Sequence, residues 1–352
     1  MSAIDHWHPV LRSKDLRDRP VGVRLHDNEL VFFRTTSGKI GCLDDICPHR
    51  RMRLSLGTVV DDRLRCSYHG WAYDCEGRGT TPGTPKLHVQ IGHYDAVERH
   101  GAIWVKSSSS DPAFPQFYTE GYYHLGNLSH VAKAPLELVL DNLTEVEHTP
   151  TTHLFFGYDL GRMAEVEVEF RPSDDSVRTI NAGPSKHLSW LLRLLLGIQR
   201  DFHFVDDWTV YFSPVHAVFD HYWMRPDTKR EGKLRWRMYV FCVPLDSDHT
   251  LIQTFAFIKS SYPGPYGGAR LFWPLVLRLV DYEIQCDVKL VENLANKSPR
   301  LEGMKLSRFD RGLGLNRERI DRLYRTVSAD NGKTSGQRRP QTITGRHGSS
   351  AA

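Results

Sequence analysis

Two pairs of cysteine and histidine constrain this chain more than any other feature of its sequence. The first pair is Cys47-x-His49, the second is Cys66-x-x-His69, and the sixteen residues between them can form a strand, a turn and a strand. Four such soft or borderline ligands fit either a tetrahedral zinc ion or an iron–sulfur cluster. Zinc sites usually pair cysteine with cysteine or histidine with histidine. Mixed pairs instead favour a [2Fe–2S] cluster that has two cysteines on one iron and two histidines on the other.

The sequence around these pairs is typical of a small antiparallel β sandwich or barrel. Between residues 24 and 105, short runs of strand-forming residues alternate with turns that contain glycine or aspartate. The Ser/Pro-rich stretch over residues 106–115 has no periodic pattern and indicates a domain boundary. We expect strands at Leu30–Phe33, Ile40–Leu43, Arg63–Cys66, Trp71–Tyr73 and Ala102–Val105.

A second candidate site lies in the segment LELVLDNLTEVEHTPTTHLFF. Glu145 and His148 would share one face of a helix predicted over Leu136–Glu147. His153 follows His148 by five residues, and on an ideal helix the two side chains would point apart. Pro150 predicts that the helix ends before it, so that His153 can fold back toward His148. Two histidines and a carboxylate can hold Fe(II) with open positions, although such a pair taken alone is more typical of core or surface histidines.

The rest of the chain predicts a second, larger unit. Residues 163–260 return to strand-like alternation, and residues 269–295 have the pattern of a long helix. A sheet flanked by helices is an α+β arrangement, so we expect an all-β domain over 1–115 and an α+β domain with a central antiparallel sheet over 116–327. Residues 328–352 are rich in glycine, serine, threonine and arginine, which is typical of a disordered tail.

Charge and composition exclude some classes of function. The formal net charge of +4 comes from 46 basic and 42 acidic residues, too small an excess to indicate a nucleic-acid surface. The first twenty residues lack an apolar signal segment, and the six cysteines lack the spacing of a small secreted domain, so we expect a cytoplasmic protein.

Two apolar stretches, over residues 188–198 and 271–280, are far shorter than the roughly 20 residues of a spanning helix. We therefore expect no integral membrane segment. Both stretches are interrupted by charged residues or proline, and a core position is the better interpretation. Helices that cover an apolar pocket, or that make a shallow membrane contact, are the alternatives.

The segments CPHRR and CSYHGW resemble the Rieske motif Cys-x-His…Cys-x-x-His-Gly-Trp, and the likeness extends over about residues 6–106. The resemblance implies a Rieske [2Fe–2S] cluster. In that family Cys47 and Cys66 would bind the buried iron, and His49 and His69 would bind the outer iron. Histidine ligation raises the reduction potential relative to an all-cysteine cluster, which suits delivery of electrons to an oxygen-activating centre.

The second site is similar to the catalytic motif of the Rieske non-heme iron oxygenases, usually written Asp/Glu-x2-His-x4-His. The resemblance implies that His148 and His153 bind a mononuclear Fe(II), with Asn142 and Glu145 as further catalytic-site residues. Glu145 would join His148 to His69 of a neighbouring chain, which implies a head-to-tail homotrimer. The family usually has aspartate at this position, and glutamate occurs in the branch that acts on quaternary amines.

The third iron ligand has to come from far along the chain. The segment YEIQCDVKLVENLANKSP resembles a late helix of the family in which an aspartate precedes a glutamate by five residues. Asp287 and Glu292 have that spacing, and Asp287 is the preferred ligand. Asp281 is the rival, and both aspartates could instead be solvated carboxylates on a helix face.

The resemblance implies the terminal oxygenase of a multicomponent system, which uses O2 to oxidise a small aromatic or amine-containing substrate. No nucleotide-binding glycine fingerprint occurs, so electrons would come from a separate NAD(P)H-dependent reductase or ferredoxin. A docking surface for that electron donor could be formed by Arg50, Arg51 and Arg53. Alternatively, these arginines are ordinary solvated charges. A Rieske electron carrier without oxygenase activity and a zinc-stabilised binding module are the alternatives.

Aromatic residues of the second unit could line an apolar substrate pocket, or each could belong to the core. The candidates between residues 202 and 273 are Phe202, Phe204, Trp208, Tyr211, Trp223 and Phe255.

Overall fold

The N-terminal part of the chain consists of two small antiparallel sheets. The computed structural model describes residues 2–262 and 269–325. Eleven strands precede residue 108: β1 His8–Arg12, β2 Val21–Leu25, β3 Asn28–Arg34, β4 Ile40–Asp44, β5 Thr58–Val60, β6 Arg63–Arg65, β7 Ala72–Tyr73, β8 Arg78–Thr80, β9 Val89–Gln90, β10 His93–Arg99 and β11 Ala102–Ser107. One sheet has the order β1-β11-β10-β4-β3-β2 and the other has the order β5-β6-β7-β8-β9.

The continuous apolar run of strand β3 is explained by its position between two hydrophobic clusters. Leu30 and Phe32 are buried in one hydrophobic cluster, and Val31 and Phe33 are buried in another, so both faces of the strand lie in apolar surroundings. A strand with solvent on one face would alternate polar and apolar residues instead. The second of these clusters also contains Cys47 and Cys66, so β3 supports the loops that carry them.

The C-terminal part is built on a seven-stranded antiparallel sheet. Its strands are β12 Tyr123–Ala132, β13 Glu167–Pro172, β14 Ser176–Pro184, β15 His203–Phe212, β16 Val215–Met224, β17 Glu231–Pro244 and β18 Thr250–Ser260, in the order β12-β18-β17-β16-β15-β14-β13. The helices are α1 Leu136–Leu143, α2 Thr149–Thr152, α3 Trp190–Leu196, α4 Ala269–Glu292 and α5 Leu313–Arg319, and a short π-helix, Ile320–Tyr324, follows. The predicted α+β architecture is confirmed.

Helix α4 packs across the sheet and positions the second candidate site. It contacts β12 closely, and a side chain at Gly126 would overlap Leu277 of α4. Val280 and Ile284 are buried in the same cluster as the inward residues of the sheet. No helix in the described ranges is both long and apolar enough to cross a membrane.

One hydrophobic cluster joins the two parts of the chain. Trp104 of β11 meets Phe241 edge-on at 5.0 Å between ring centroids and stacks on Phe255 at 5.6 Å. Phe117, in the segment between the sheets, stacks on Tyr239 at 4.3 Å. The Ser/Pro-rich stretch predicted as a boundary carries no helix or strand beyond β11, but its Phe114 packs into this cluster. The exact domain limits stay a prediction, and residues 328–352 lie outside the described ranges.

The segment around the two histidines of the second site differs from the prediction. Helix α1 ends at Leu143, so Glu145 and His148 lie in the turns that follow it and not on a shared helix face. Pro150 does not end a helix. It lies in the first turn of the short helix α2, where proline is tolerated because the amide hydrogen that it lacks would have no intrahelical partner.

Three histidines and a tyrosine form a buried polar cluster between the N-terminus and the end of the described chain. Nε2 of His8 lies 2.9 Å from the hydroxyl of Tyr324, and Nε2 of His26 lies 2.8 Å from the same hydroxyl. The ring of His6 lies 5.2 Å from that of Tyr324 at an angle of 30°, and its Nδ1 lies 2.8 Å from the hydroxyl of Ser213. Burial lowers the pKa of all three histidines, and lowers that of His26 from 6.5 to about 4, with help from Arg325 and His6.

The depressed pKa of His26 predicts that acid destabilises the fold. Because its pKa is lower in the folded chain than in the unfolded chain, protons bind preferentially to the unfolded chain below pH 6.5. His26 alone should lower the free energy of unfolding by about 2 kcal/mol between pH 7 and pH 5. Urea unfolding followed by circular dichroism at both values measures this change.

The matched variants are His26→Asn, because asparagine tolerates the left-handed backbone at this position (φ 48°), and the exposed His88→Asn. His26→Asn should reduce the loss of stability between the two pH values, and His88→Asn should not. An unchanged loss in His26→Asn would contradict the assignment.

Candidate metal centres

The first candidate centre lies at the tips of two loops. Cys47 follows β4, and Cys66 follows β6; both side chains are buried, at 1% and 3% exposure. His49 and His69 are exposed on the same two loops, and their ring centroids are 4.3 Å apart. The sequence-predicted ligands therefore come together as two buried sulfurs beneath two exposed imidazoles.

The surroundings of the two cysteines are suited to thiolate charge. The amides of Tyr68 and His69 direct hydrogen bonds at Cys66 Sγ, and the Tyr73 hydroxyl lies 3.2 Å from Cys47 Sγ. Burial raises the pKa of the Cys66 thiol, so ionised sulfurs at this depth require positive charge beside them.

Two further features shape the outer loop and shield the centre. Trp71 stacks on His49 at 4.6 Å with an interplanar angle of 5°. Gly70 takes a left-handed conformation (φ 73°) that turns the chain after His69. Buried sulfurs and exposed imidazoles fit a Rieske [2Fe–2S] cluster, in which the two irons differ in their ligands in this way.

The second candidate centre brings together three side chains from two places in the sequence. His148 directly precedes α2, His153 directly follows it, and Asp287 lies on α4. Nε2 of His148 is 2.9 Å from Nε2 of His153, and Oδ1 of Asp287 is 3.2 Å from each of them. In the described part of the chain, this is the group of histidine, cysteine or acidic side chains whose ligand atoms converge on one ion position.

The spacing of the three atoms fits a facial set of ligands. In an octahedral ion with bonds of about 2.1 Å, neighbouring ligand atoms are about 3.0 Å apart, whereas tetrahedral ligands are about 3.4 Å apart. The observed 2.9 and 3.2 Å agree better with the octahedral value. Oδ1 of Asp287 is buried and has no aligned hydrogen bond in the described residues, as expected of an oxygen that faces a metal ion. The residues therefore fit a mononuclear iron.

A carboxylate orients each histidine from behind. Nδ1 of His148 donates to Glu145, and Nδ1 of His153 donates to Glu283. Glu283 also accepts hydrogen bonds from the amides of Leu154, at 3.1 Å, and Phe155, at 3.0 Å. With Nδ1 protonated, the lone pair of each Nε2 is free for the metal position.

The electrostatics of this centre favour a cation. Burial opposes positive charge on the histidines, but Asp287 and Glu145 raise the pKa of His148 to about 10, and Asp287 and Glu283 raise that of His153 to about 9. Burial likewise opposes ionisation of Asp287, yet the two histidines lower its pKa. Three carboxylates around two imidazoles thus attract positive charge, which a divalent ion would supply.

Glu283 was not predicted from the sequence. It precedes Asp287 by four residues and therefore shares its helix face, which is the signal that was available. The same signal is common on amphipathic helices, because acidic residues four apart often line a solvated face. The buried position of Glu283 distinguishes it, and burial becomes visible only in the fold.

The other predicted residues of this region lie as follows. Asp281, the rival ligand, contacts His130 at 2.9 Å and is not part of the convergent group. Glu292 accepts a hydrogen bond from the amide of Lys133. Asn142 lines the cavity at the site.

The cavity beside the second centre is mostly apolar. Helices α1 and α4 form one wall and the sheet forms the other, so the predicted stretch over 271–280 contributes Val280 to its lining. Its aromatic residues are Phe156 and Phe219. The lining of this cavity contains none of the six aromatic residues considered between 202 and 273, and the alternative of a core position holds for five of them. Phe202, Phe204, Trp208, Trp223 and Phe255 are core residues, and Tyr211 lines a different cavity.

Residues 6–91 match the Rieske [2Fe-2S] domain family. The chain is 36% identical over 153 residues to chlorophyllide a oxygenase of Arabidopsis thaliana, covering 42% of this chain and 28% of that protein. It is 33% identical over 162 residues to the vanillate O-demethylase oxygenase subunit of a Pseudomonas strain, covering 42% and 44%. The chain thus spans less than half the length of these relatives.

Solved structures extend the likeness of fold over nearly the whole chain. Dicamba monooxygenase bound to dicamba superimposes with a TM-score of 0.73 at 19% identity and covers 90% of this chain and 96% of that chain. Pseudomonas putida CBB5 NdmA with caffeine has a TM-score of 0.68 at 21% identity and covers 89% of each.

Loss of the carboxylate behind His153 should weaken the second centre alone. We predict that Glu283→Ala lowers affinity for the mononuclear iron by about 10- to 100-fold, because Glu283 fixes the tautomer and orientation of His153. Iron and acid-labile sulfide per chain, measured after dialysis at limiting Fe(II), check this.

The control is Asp281→Ala on the same helix, which should keep its full iron content. Sulfide should be unchanged in both variants. Full iron retention in Glu283→Ala would contradict the role assigned to Glu283.

Proposed function

We propose that the chain is the alpha subunit of a Rieske non-heme iron oxygenase and acts as the terminal oxygenase of a multicomponent system. It takes electrons from a separate reductase and uses O2 to oxidise a small aromatic substrate within the cavity described above. The observation that carries this proposal is the buried facial set His148, His153 and Asp287. An electron carrier without oxygenase activity would not need these three side chains in one place.

The side chains of the site have separable tasks in this proposal. Iron, when bound, supplies the activation of O2. Glu145 and Glu283 hold the Nδ1 protons of the two histidines and so keep Nε2 directed at the metal position. Phe156 and Ile284 line the cavity with apolar surface that accepts an aromatic ring and excludes water.

Electrons would enter from a neighbouring protomer. Beside His148 and Glu145 runs an open groove that leads to the surface, and its far side carries the partly exposed apolar residues Leu290, Leu294, Met304 and Leu306. At the other centre, the exposed His69 is flanked by Tyr68, which is also exposed. The apolar groove beside Glu145 and the exposed Tyr68 beside His69 are different surfaces, each next to a redox centre, and such a pair suits a head-to-tail contact. We therefore propose a homotrimer in which the partner subunit's His69 faces Glu145.

A docking surface for the reductase or ferredoxin is proposed at Arg50 and Arg51. Both are exposed next to the cluster ligands, which suits an acidic partner. Arg53, the third predicted residue, contacts Glu29 at 3.2 Å and Asp45 at 3.4 Å, so part of its charge is already neutralised within the chain. We propose a cytoplasmic location, which the six unpaired cysteines support.

The substrate class is proposed to be aromatic. The apolar lining of the cavity supports this, and so do the names of relatives and neighbours that act on or bind aromatic molecules, such as vanillate O-demethylase and dicamba monooxygenase.

A single-turnover experiment tests the proposed function. Protein whose cluster has been reduced under argon is mixed with O2 and a panel of methoxylated aromatic acids and arylamines, and products are identified by mass spectrometry. Wild type should give product in one round without added reductase. Asp287→Ala should give none while its cluster remains reducible, because the variant lacks one ligand of the mononuclear iron.

Product from Asp287→Ala at the wild-type level would contradict the assignment of Asp287. No product from wild type with any member of the panel, although its cluster is reoxidised by O2, would favour the electron carrier.

Assembly provides a second test. We predict that Leu306→Asp dissociates the trimer, because it introduces a charge into the apolar groove beside Glu145. Light scattering after size exclusion should give the trimer mass for wild type and a lower mass for the variant. Leu160→Asp, at an exposed leucine away from the groove, is the control and should stay trimeric. A wild-type monomer would contradict the proposed assembly.

A further inference from the structure

The sheet wall of the cavity carries a polar pair that does not contribute to the metal centre. His221 of β16 and Asp206 of β15 are directly opposite each other in the strand register. Both line the cavity, and both are more than nine-tenths buried, with 8% and 7% of their surface exposed. Nε2 of His221 lies 2.8 Å from Oδ1 of Asp206. A cavity that is otherwise apolar on this side thus contains one buried polar pair.

The pair has unused hydrogen-bonding capacity. The contact between Nε2 of His221 and Oδ1 of Asp206 is short but is not aligned as a hydrogen bond. In the described residues, both ring nitrogens of His221 and Oδ1 of Asp206 therefore lack a hydrogen-bonding partner. The imidazole is surrounded by aromatic rings instead, with Phe156, Phe219 and Phe204 at 4.8, 5.6 and 5.7 Å between centroids. Buried polar atoms without partners are costly, so a ligand that supplies a partner gains affinity.

The charges around the pair indicate which partner fits. His221 is the side chain that contacts Asp206 in this wall of the cavity. Arg178 of the adjacent strand β14 binds Asp207 on the opposite face of the sheet. An imidazole carries at least one N–H whatever its charge, and neither ring nitrogen of His221 has a hydrogen-bonding partner in the described residues, so the ring has a donor available for a ligand.

The other acidic groups of the cavity are already engaged. Glu145 and Glu283 accept from the two histidines of the metal centre, and Asp287 faces the metal position. The donor on His221 is therefore the polar group on the sheet side that remains for a substrate.

We propose that His221, held by Asp206, binds an acceptor oxygen of the substrate and thereby decides which carbon faces the metal position. The substrate class is a small aromatic ring that carries a carboxylate or carbonyl group. The ring would lie against the apolar residues Met238, Val240 and Ile284, which line the same cavity. This inference rests on the proposed function, and it names the substrate feature that the cavity selects. His221 is a specificity residue in this account and Asp206 positions it.

Binding without turnover tests the inference separately from the oxygenase activity. Oxidised full-length protein with its metals is titrated by calorimetry under argon with 4-methoxybenzoate, 4-methoxyacetophenone and anisole, which share the ring and the methoxy group. Wild type should bind the benzoate and the acetophenone about 10- to 100-fold more tightly than anisole, because anisole leaves the buried N–H without an acceptor. His221→Phe, which keeps an aromatic ring of similar size, should bind all three with similar affinity.

Two further variants separate specificity from structure. His221→Gln retains a side-chain N–H and should restore part of the preference for the oxygen-bearing probes. Asp207→Asn changes the neighbouring residue, on the opposite face of the sheet, and should keep the full wild-type preference. Each variant should retain the wild-type iron and sulfide content, which shows that the metal centres have formed.

Three results would overturn the inference. One is an unchanged preference in His221→Phe, and another is no measurable binding of any probe to wild type. The third is stronger binding of 4-methoxybenzylamine than of 4-methoxybenzoate, which would assign the pair to cationic substrates through Asp206. A wild-type protein that binds as expected but forms no product would contradict the proposed function and leave this inference intact.

Discussion

The candidate iron site of the C-terminal part depends on the approach of Asp287 to His148 and His153. These side chains are almost fully buried, and the two glutamates behind the histidines add further negative charge. Carboxylates at this depth are stable only beside positive charge. Helix α4 supplies both Asp287 and Glu283, so its packing against the sheet fixes the third candidate ligand and one orienting carboxylate together.

The two centres are built for different contact with solvent. In the first, the buried sulfurs of Cys47 and Cys66 lie beneath exposed imidazoles, so that the edge carrying His69 is accessible to another protein. In the second, the ligands lie at the inner end of a cavity between helices and sheet. The shared cluster around Trp104 holds the two parts of the chain together.

Some of this was predictable from the sequence, for identifiable reasons. Metal ligands need fixed residue types at short spacing, so Cys47-x-His49 and the pair His148 and His153 were visible, and so was the antiparallel β architecture. The prediction of Asp287 as a ligand rested on a family resemblance and not on spacing, because Asp287 is far from His148 and His153 in the sequence. The role of Pro150 was predicted wrongly, since a proline that breaks one helix can equally begin the next.

Glu283, His221 and Asp206 were not identified from the sequence. Each has another polar or charged residue close by in the sequence, and what distinguishes it is burial and a partner on another element. The aromatic residues considered for a pocket show that a suitable residue type does not by itself place a side chain in a cavity. Phe204 and Trp223 point into the core because strand alternation fixes their side of the sheet, and the pattern alone does not say where along that side a cavity opens.

The central claim is that one chain holds a two-iron cluster and a separate mononuclear iron. Iron, zinc and acid-labile sulfide counted per chain in anaerobically purified protein test it most directly. We expect about three irons and two sulfides per chain, with little zinc. Zinc without sulfide would contradict the account altogether. Two irons and two sulfides that resist reconstitution with Fe(II) would leave a cluster protein without an oxygenase centre.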